Sequence, residues 1–173
     1  MADAALRLDP GLTTDILCGV NETRRSSRGR NLARGPLQRA SALAETPLES
    51  VSRAVIGWLG FADPEQQVDF RHAGGERDRA DFLWRSTDGR PTVIGEADGE
   101  IKYDGRFGDP VTAMRDQRQR DRRLQHHVRS IAHWCWADVI EYDSLRTILR
   151  RAGLQPTEPE HGSQLATLRR ALS

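Results

Sequence analysis

The chain has 173 residues, 37% hydrophobic and 29% charged, with a formal net charge of +1. That balance suits one domain with appendages and a real core, and excludes a disordered chain. No apolar run approaches the roughly eighteen residues of a membrane span, Met1 to Leu8 lacks the regions of a secretory signal, and Cys18 and Cys135 form no CxxC pattern, so a cytoplasmic protein with two reduced thiols is expected.

In chain order, residues 2–44 predict two or three short helices broken by Asp9-Pro10-Gly11 and by Ser26 to Gly35. A well-punctuated helix follows. Thr46 suits the N-cap, Pro47 the first helical position, and Glu49 the acid of a capping box. Leu48, Val51, Val55, Ile56 and Leu59 approximate helical spacing, and Gly60 ends the run. From Gln67 the period becomes two: Gln67 to His72 and Ala80 to Arg85 predict strands joined across Gly74-Gly75, and Thr92 to Lys102 contains a third. Pro110 starts a second long helix running through Met114 and Leu124 to Val128, with a very polar exposed face. Ile131 to Trp136 predicts a strand whose two tryptophans share a face and pack into the core. Ser144 to Ala152 predicts a closing helix, Gln155 to Gly162 a loose linker, and Ser163 to Leu172 a short final helix. Helix, three strands, helix, strand, helix is the order of an α/β protein around a mixed sheet.

Charge is unevenly spread. Of 26 basic side chains only Lys102 is a lysine, and it lies in Gly95-Glu96-Ala97-Asp98-Gly99-Glu100-Ile101-Lys102 among acids. A mobile ammonium can approach a water or a phosphate oxygen, whereas an arginine carries a broad fork that keeps its proton. Arg24, Arg25, Arg28, Arg30, Arg34 and Arg39 follow one another with no acid between them, and a second basic run extends from Arg115 to Arg129. A basic surface beside an acidic pocket suits a polyanion held near a metal. A solvated arginine-rich face explains the first cluster equally well.

The hairpin register ties the acids together. With Asp88-Gly89 as a two-residue turn, Thr87 faces Arg90, and counting outward sets Asp81 opposite Glu96. Opposed residues have Cβ atoms roughly 5 Å apart, and Asp98 shares the face of Glu96 by alternation. Pro91 can lengthen the turn and slip this register by one or two residues. Hard oxygen donors with no Cys or His favour Mg²⁺ or Mn²⁺. Solvent-facing acids on a hairpin are the plainer reading, but Phe82, Leu83, Trp84, Val93 and Ile94 predict buried strands, where acids need partners. The histidines form no ligand set, and adjacent His126 and His127 are expected at the surface. No P-loop, GxGxxG or GxSxG is present.

Asp81-Phe82-Leu83-Trp84, Gly95-Glu96-Ala97-Asp98-Gly99 and Lys102-Tyr103 together resemble the PD-(D/E)XK nuclease superfamily. The nearest branch is the very-short-patch-repair-like group met with type IV (AbiE-like) antitoxins in GC-rich bacteria. Glu45 to Arg53 resembles that group's first helix, which makes Glu49 the match of its additional acid. Gln117 to Leu124 resembles its E-K-x-R-D-x-x-L helix, and Val128 to Asp138 the following strand. The resemblance spans roughly Glu45 to Ala152. It implies a restriction-endonuclease-like core, a mixed central sheet flanked by helices, with a small helical N-terminal segment. The divisions are then an arginine-rich segment at 1–44, the nuclease-like domain at 45–153, and a linker and tail at 154–173.

On that reading Asp81, Glu96 and Asp98, with Glu49, bind Mg²⁺ or Mn²⁺ for DNA phosphodiester hydrolysis, in repair or in defence against phage and mobile elements. Lys102 acts at the attacking water, and Arg24, Arg25, Arg28, Arg30, Arg118 and Arg120 hold the nucleic-acid backbone. Two departures stand out: the family's acid-x-Lys reads Glu96-Ala97-Asp98, and its Glu-Lys pair reads Gln117-Arg118. The longer relatives' winged helix has no counterpart in this sequence. The alternatives are an inactive DNA-binding or antitoxin-like module on the same fold, and an interaction domain whose acids pair with arginines. DNA is the expected partner and a membrane is not; a homodimer or protein partner is left open.

Overall fold

The computed structural model describes residues 2–98 and 110–172. By internal contacts the chain divides into two compact units, Met1–Ala54 and Val55–Ser173.

The first unit holds α1 (Ala2–Leu8), α2 (Thr14–Glu22), α3 (Ser27–Gln38) and the start of α4 (Pro47–Trp58). Helices this short are marginal alone and rely on capped ends. Thr13 Oγ1 accepts the Ile16 amide at 3.2 Å, and Ser26 Oγ accepts that of Gly29 at 3.1 Å. Ser26 to Gly35 is therefore not the break that its Gly and Ser content suggests: Ser26 is a cap, and α3 runs through Gly29, Gly35 and Pro36. Ser41 N–H donates to Asp3 Oδ1 at 2.9 Å, and the buried Asn21 donates to Arg30 O at 3.0 Å.

The second unit is α/β. A four-stranded sheet has the order β1 (Glu65–Arg71), β2 (Arg77–Arg85), β3 (Pro91–Ala97), β4 (Ser130–Trp134). The first three strands are antiparallel neighbours and β4 runs parallel to β3. A parallel return needs a crossover, and α5 (Pro110–Gln125) lies between those two strands in sequence. α6 (Trp136–Ile140), α7 (Tyr142–Arg151) and α8 (Gly162–Leu172) follow.

Both sheet faces are covered. Leu124 of α5 packs with Phe70, Ala80, Leu83 and Ile94, and Val68, Val128 and Ile131 border that cluster. Phe82 stacks on Trp134 at 5.5 Å between ring centres and lies 6.4 Å from Trp84. Gly95 is needed there, because a Cβ at its position would sit 2.4 Å from the Trp134 ring. Trp136 does not share this role. Cys135 leaves the strand and caps α6, so Trp136 opens a helix instead of alternating with Trp134.

The segment expected to be a loose linker is fastened. Gly60, at φ +80°, ends α4 with Phe61 N–H bonded to Ile56 O at 3.2 Å and its own N–H to Gly57 O at 3.0 Å, the reciprocal bonds of a Schellman end. The Gly60 carbonyl then accepts the amides of Thr157 (2.8 Å) and Glu158 (3.0 Å), and Trp58 O accepts that of His161 (2.8 Å). A Cβ on Gly60 would lie 2.1 Å from Glu158 O. No described helix is long and apolar enough to cross a membrane.

Candidate functional site

The β2–β3 register is the one counted from the sequence, reached by a different route. The loop is longer than two residues: Ser86 N–H donates to Arg90 O and Gly89 N–H to Ser86 O, and Arg85 pairs with Pro91. An irregularity between Trp84 and Arg85 then takes up the extra residue, where Thr92 Oγ1 donates to Trp84 O at 2.9 Å. Beyond it Trp84 pairs with Val93, Leu83 with Ile94 and Phe82 with Gly95. The recorded pairs end there, and the same register continued by one residue sets Asp81 opposite Glu96. The Asp81 carboxylate accepts the Ala97 amide at 2.9 Å, at the end of the paired segment.

Alternation on β3 sets Glu96 on the face of Ile94, and the parallel register sets His133 beside it, as Ile131 stands beside Ile94. Asp98 N–H continues the ladder to Trp134 O at 2.9 Å. From α5 come Gln117, Arg120 and Asp121, at the spacing of one helical face with Leu124. Arg120 forks the Glu96 carboxylate with contacts of 3.0 to 3.1 Å and also donates to Arg79 O. Gln117 Nε2 donates to Asp98 Oδ2 at 3.2 Å, and the His133 ring bridges Asp98 (2.6 Å) and Asp121 (3.3 Å).

The electrostatics follow from burial. The Glu96 side chain is 3% exposed. Burial pushes its carboxyl up to about 7; Arg120 opposes this, and the negative charges of Asp81 and Asp98 add to it. His133 is held above its ordinary range first by its hydrogen bond to Asp98, against its own desolvation, with Asp121 and Glu96 contributing. Four acids (Asp81, Glu96, Asp98 and Asp121) thus gather around Arg120 and His133.

Of the residues predicted for the site, Asp81, Glu96 and Asp98 are brought together. Lys102 lies outside the described residues. Glu49 belongs to the first unit, where its carboxylate accepts the Glu45 amide at 2.8 Å and the Thr46 hydroxyl at 2.8 Å, while its own N–H donates to Thr46 Oγ1 at 3.2 Å. Arg120, expected on the nucleic-acid backbone, is the partner of Glu96 instead. Arg118, Arg24, Arg25 and Arg28 are exposed. Arg30 donates to Arg24 O and lies 4.0 Å from Glu22. His133 was missed, although the parallel return of β4 would have aligned it with Glu96. Oxygen donors of this kind suit Mg²⁺ or Mn²⁺, but Glu96 already has its arginine. No group of three or more His, Cys, Asp or Glu side chains among the described residues is arranged to hold an ion.

Comparison of the chain with protein-family models, with curated proteins and with solved structures found no match.

Proposed function

We propose that this protein is a metal-dependent nuclease of the PD-(D/E)XK kind, with a restriction-endonuclease-like core, acting on DNA phosphodiester bonds. The observation that carries this reading is the meeting of Asp81, Glu96 and Asp98 at one end of the β2–β3 pair, where the two neighbouring acids raise the pKa of Glu96. The element order α4-β1-β2-β3-α5-β4 supports it, as does the convergence on this cluster of Arg120 and Asp121, which with Leu124 in the adjoining core are the three residues in which α5 most resembles the family helix.

Asp81, Glu96 and Asp98 are the residues that would hold Mg²⁺ or Mn²⁺, which when bound would lower the pKa of a coordinated water and offset charge on the phosphate. Arg120 keeps Glu96 oriented and its charge partly neutralised; the same guanidinium, turned from Glu96, presents a planar fork suited to a phosphate. Gln117 and His133 fix the carboxylate of Asp98. Exposed Arg118, Arg24, Arg25 and Arg28 supply contacts to the backbone of a nucleic acid without sequence choice.

The second reading is an inactive DNA-binding module on the same fold. The closed pairing of Glu96 with Arg120 favours it, since both carboxylate oxygens already accept hydrogen bonds. Plasmid cleavage with Mn²⁺, compared with Asp81→Ala, separates the two. Cleavage lost in the variant supports the nuclease, and duplex binding without cleavage by either protein supports the inactive module.

A further inference from the structure

At the turn between β1 and β2, away from the acids, a second cluster uses the other end of α5. Asp78 is buried and its pKa is lowered, first by hydrogen bonds from Arg123, with His72 adding to the effect. Arg123 reaches it twice, Nε to Oδ2 at 2.7 Å and Nη2 to Oδ1 at 2.8 Å. His72 Nε2 lies 2.8 Å from the same Oδ2. The contact is one of distance, with the ring N–H not aligned as a hydrogen bond; a proton on the nitrogen nearest this carboxylate, which when ionised only accepts, leaves the lone pair on Nδ1. That lone pair points at His127, whose Nε2 is 3.2 Å away.

We propose that His72 and His127 form an open site for a divalent transition ion such as Zn²⁺, with Asp78 as the carboxylate that orients His72. Two nitrogens each about 2.0–2.1 Å from a tetrahedral zinc lie about 3.3 Å apart, close to the observed 3.2 Å. A carboxylate behind a ligating imidazole fixes its tautomer and raises its basicity. Both backbones are anchored. His72 N–H donates to Glu76 O and its carbonyl accepts from Gly75, while His127 N–H donates to Leu124 O. The rings also pack: Phe70 lies 5.2 Å from His127, and the two imidazole centres are 5.0 Å apart. On binding, the proton between the facing nitrogens shifts to Nδ1 of exposed His127, freeing Nε2, and both rings turn so that their lone pairs leave the line between the nitrogens and converge on the ion. Two protein ligands leave the remaining positions to water, so the site would join the β1–β2 turn to the end of α5 without closing around the ion. Imidazole donors select Zn²⁺, Ni²⁺ or Cu²⁺ over Mg²⁺.

Calorimetric titration of the full chain with ZnCl₂ tests the site, with circular dichroism confirming that each variant folds. The expected result is binding at submillimolar Zn²⁺ that persists in excess Mg²⁺, weakens at least about tenfold in His127→Gln and in Asp78→Asn, and is unchanged in His126→Gln. Long-range ¹H–¹⁵N spectra should show His127 passing to the Nδ1–H tautomer as Zn²⁺ is added. Equal affinity in wild type and His127→Gln, no wild-type binding, or an unchanged His127 tautomer on saturation would overturn the proposal.

Discussion

Glu96 sits where burial and two neighbouring acids oppose its ionisation and the Arg120 fork favours it. An acid whose pKa rises from 4.5 unfolded to about 7 folded contributes stability that is complete below pH 4.5 and is lost as the pH rises through 7. The ceiling on this change is about 3 kcal/mol. Glu96→Gln cannot titrate, so its stability relative to wild type should rise between pH 5 and pH 8 by up to about that amount. Paired denaturant titrations at the two pH values measure it, and a constant difference would show that Glu96 titrates normally. Arg120→Gln should act the other way, leaving a buried carboxylate with no cation of its own. Breaking such a pair costs about 3–5 kcal/mol, and the loss should be larger at pH 8 than at pH 5, where protonation of Glu96 relieves it.

Among the elements, β3 carries both the aromatic packing and the acids, so changes on one face are felt on the other. Gly95 lies under Trp134, and the Cβ of Gly95→Ala would meet ring atoms at 2.4 and 2.8 Å. Overpacking of this kind typically costs about 1–3 kcal/mol. The loss should appear as a lower denaturation midpoint, and combining Gly95→Ala with Trp134→Leu should recover part of it; additive losses would show that the ring is not the obstacle. α5 works through its spacing. Gln117, Arg120, Asp121 and Leu124 share a face, so one side of the helix supplies the partners of Asp98, Glu96 and His133 and also packs on the core.

At the scale of the whole molecule, the proposed activity makes two demands that need no cleavage assay. Millimolar Mn²⁺ should raise the melting temperature by mass action, and Asp81→Asn should remove most of that gain; no rise in the wild type would count against the metal. Binding to nonspecific duplex should fall steeply with salt, by a slope of about 0.9 per phosphate neutralised. Replacing the exposed Arg24, Arg25 and Arg28 together with Gln should flatten the slope without creating a sequence preference. Absence of binding at low salt would remove both the nuclease and the inactive-module readings.

Local chemistry was legible in the sequence. Thr46, Pro47, Glu49 and Gly60 bounded α4 because caps and left-handed ends are set by adjacent residues, and runs of strand-forming residues set β1, β2 and β3 within a few residues of their observed bounds. The opposition of Asp81 and Glu96 was also readable, although a longer turn and a compensating irregularity had to cancel for the count to hold. What the sequence could not show is who answers each charge. Arg120 looked like one arginine among many, and its place on Glu96 depends on how α5 packs across β3. His133 gained its two carboxylates only when β4 returned parallel to β3, and His72 met His127 only when the end of α5 reached the β1–β2 turn. The stretch 155–162 read as a linker because its polar residues bury little, yet its amides fasten it to the end of α4. Periodicity and capping act over a few residues and are written locally. Ion pairing and backbone docking act between segments distant in sequence, so only the tertiary structure decides them.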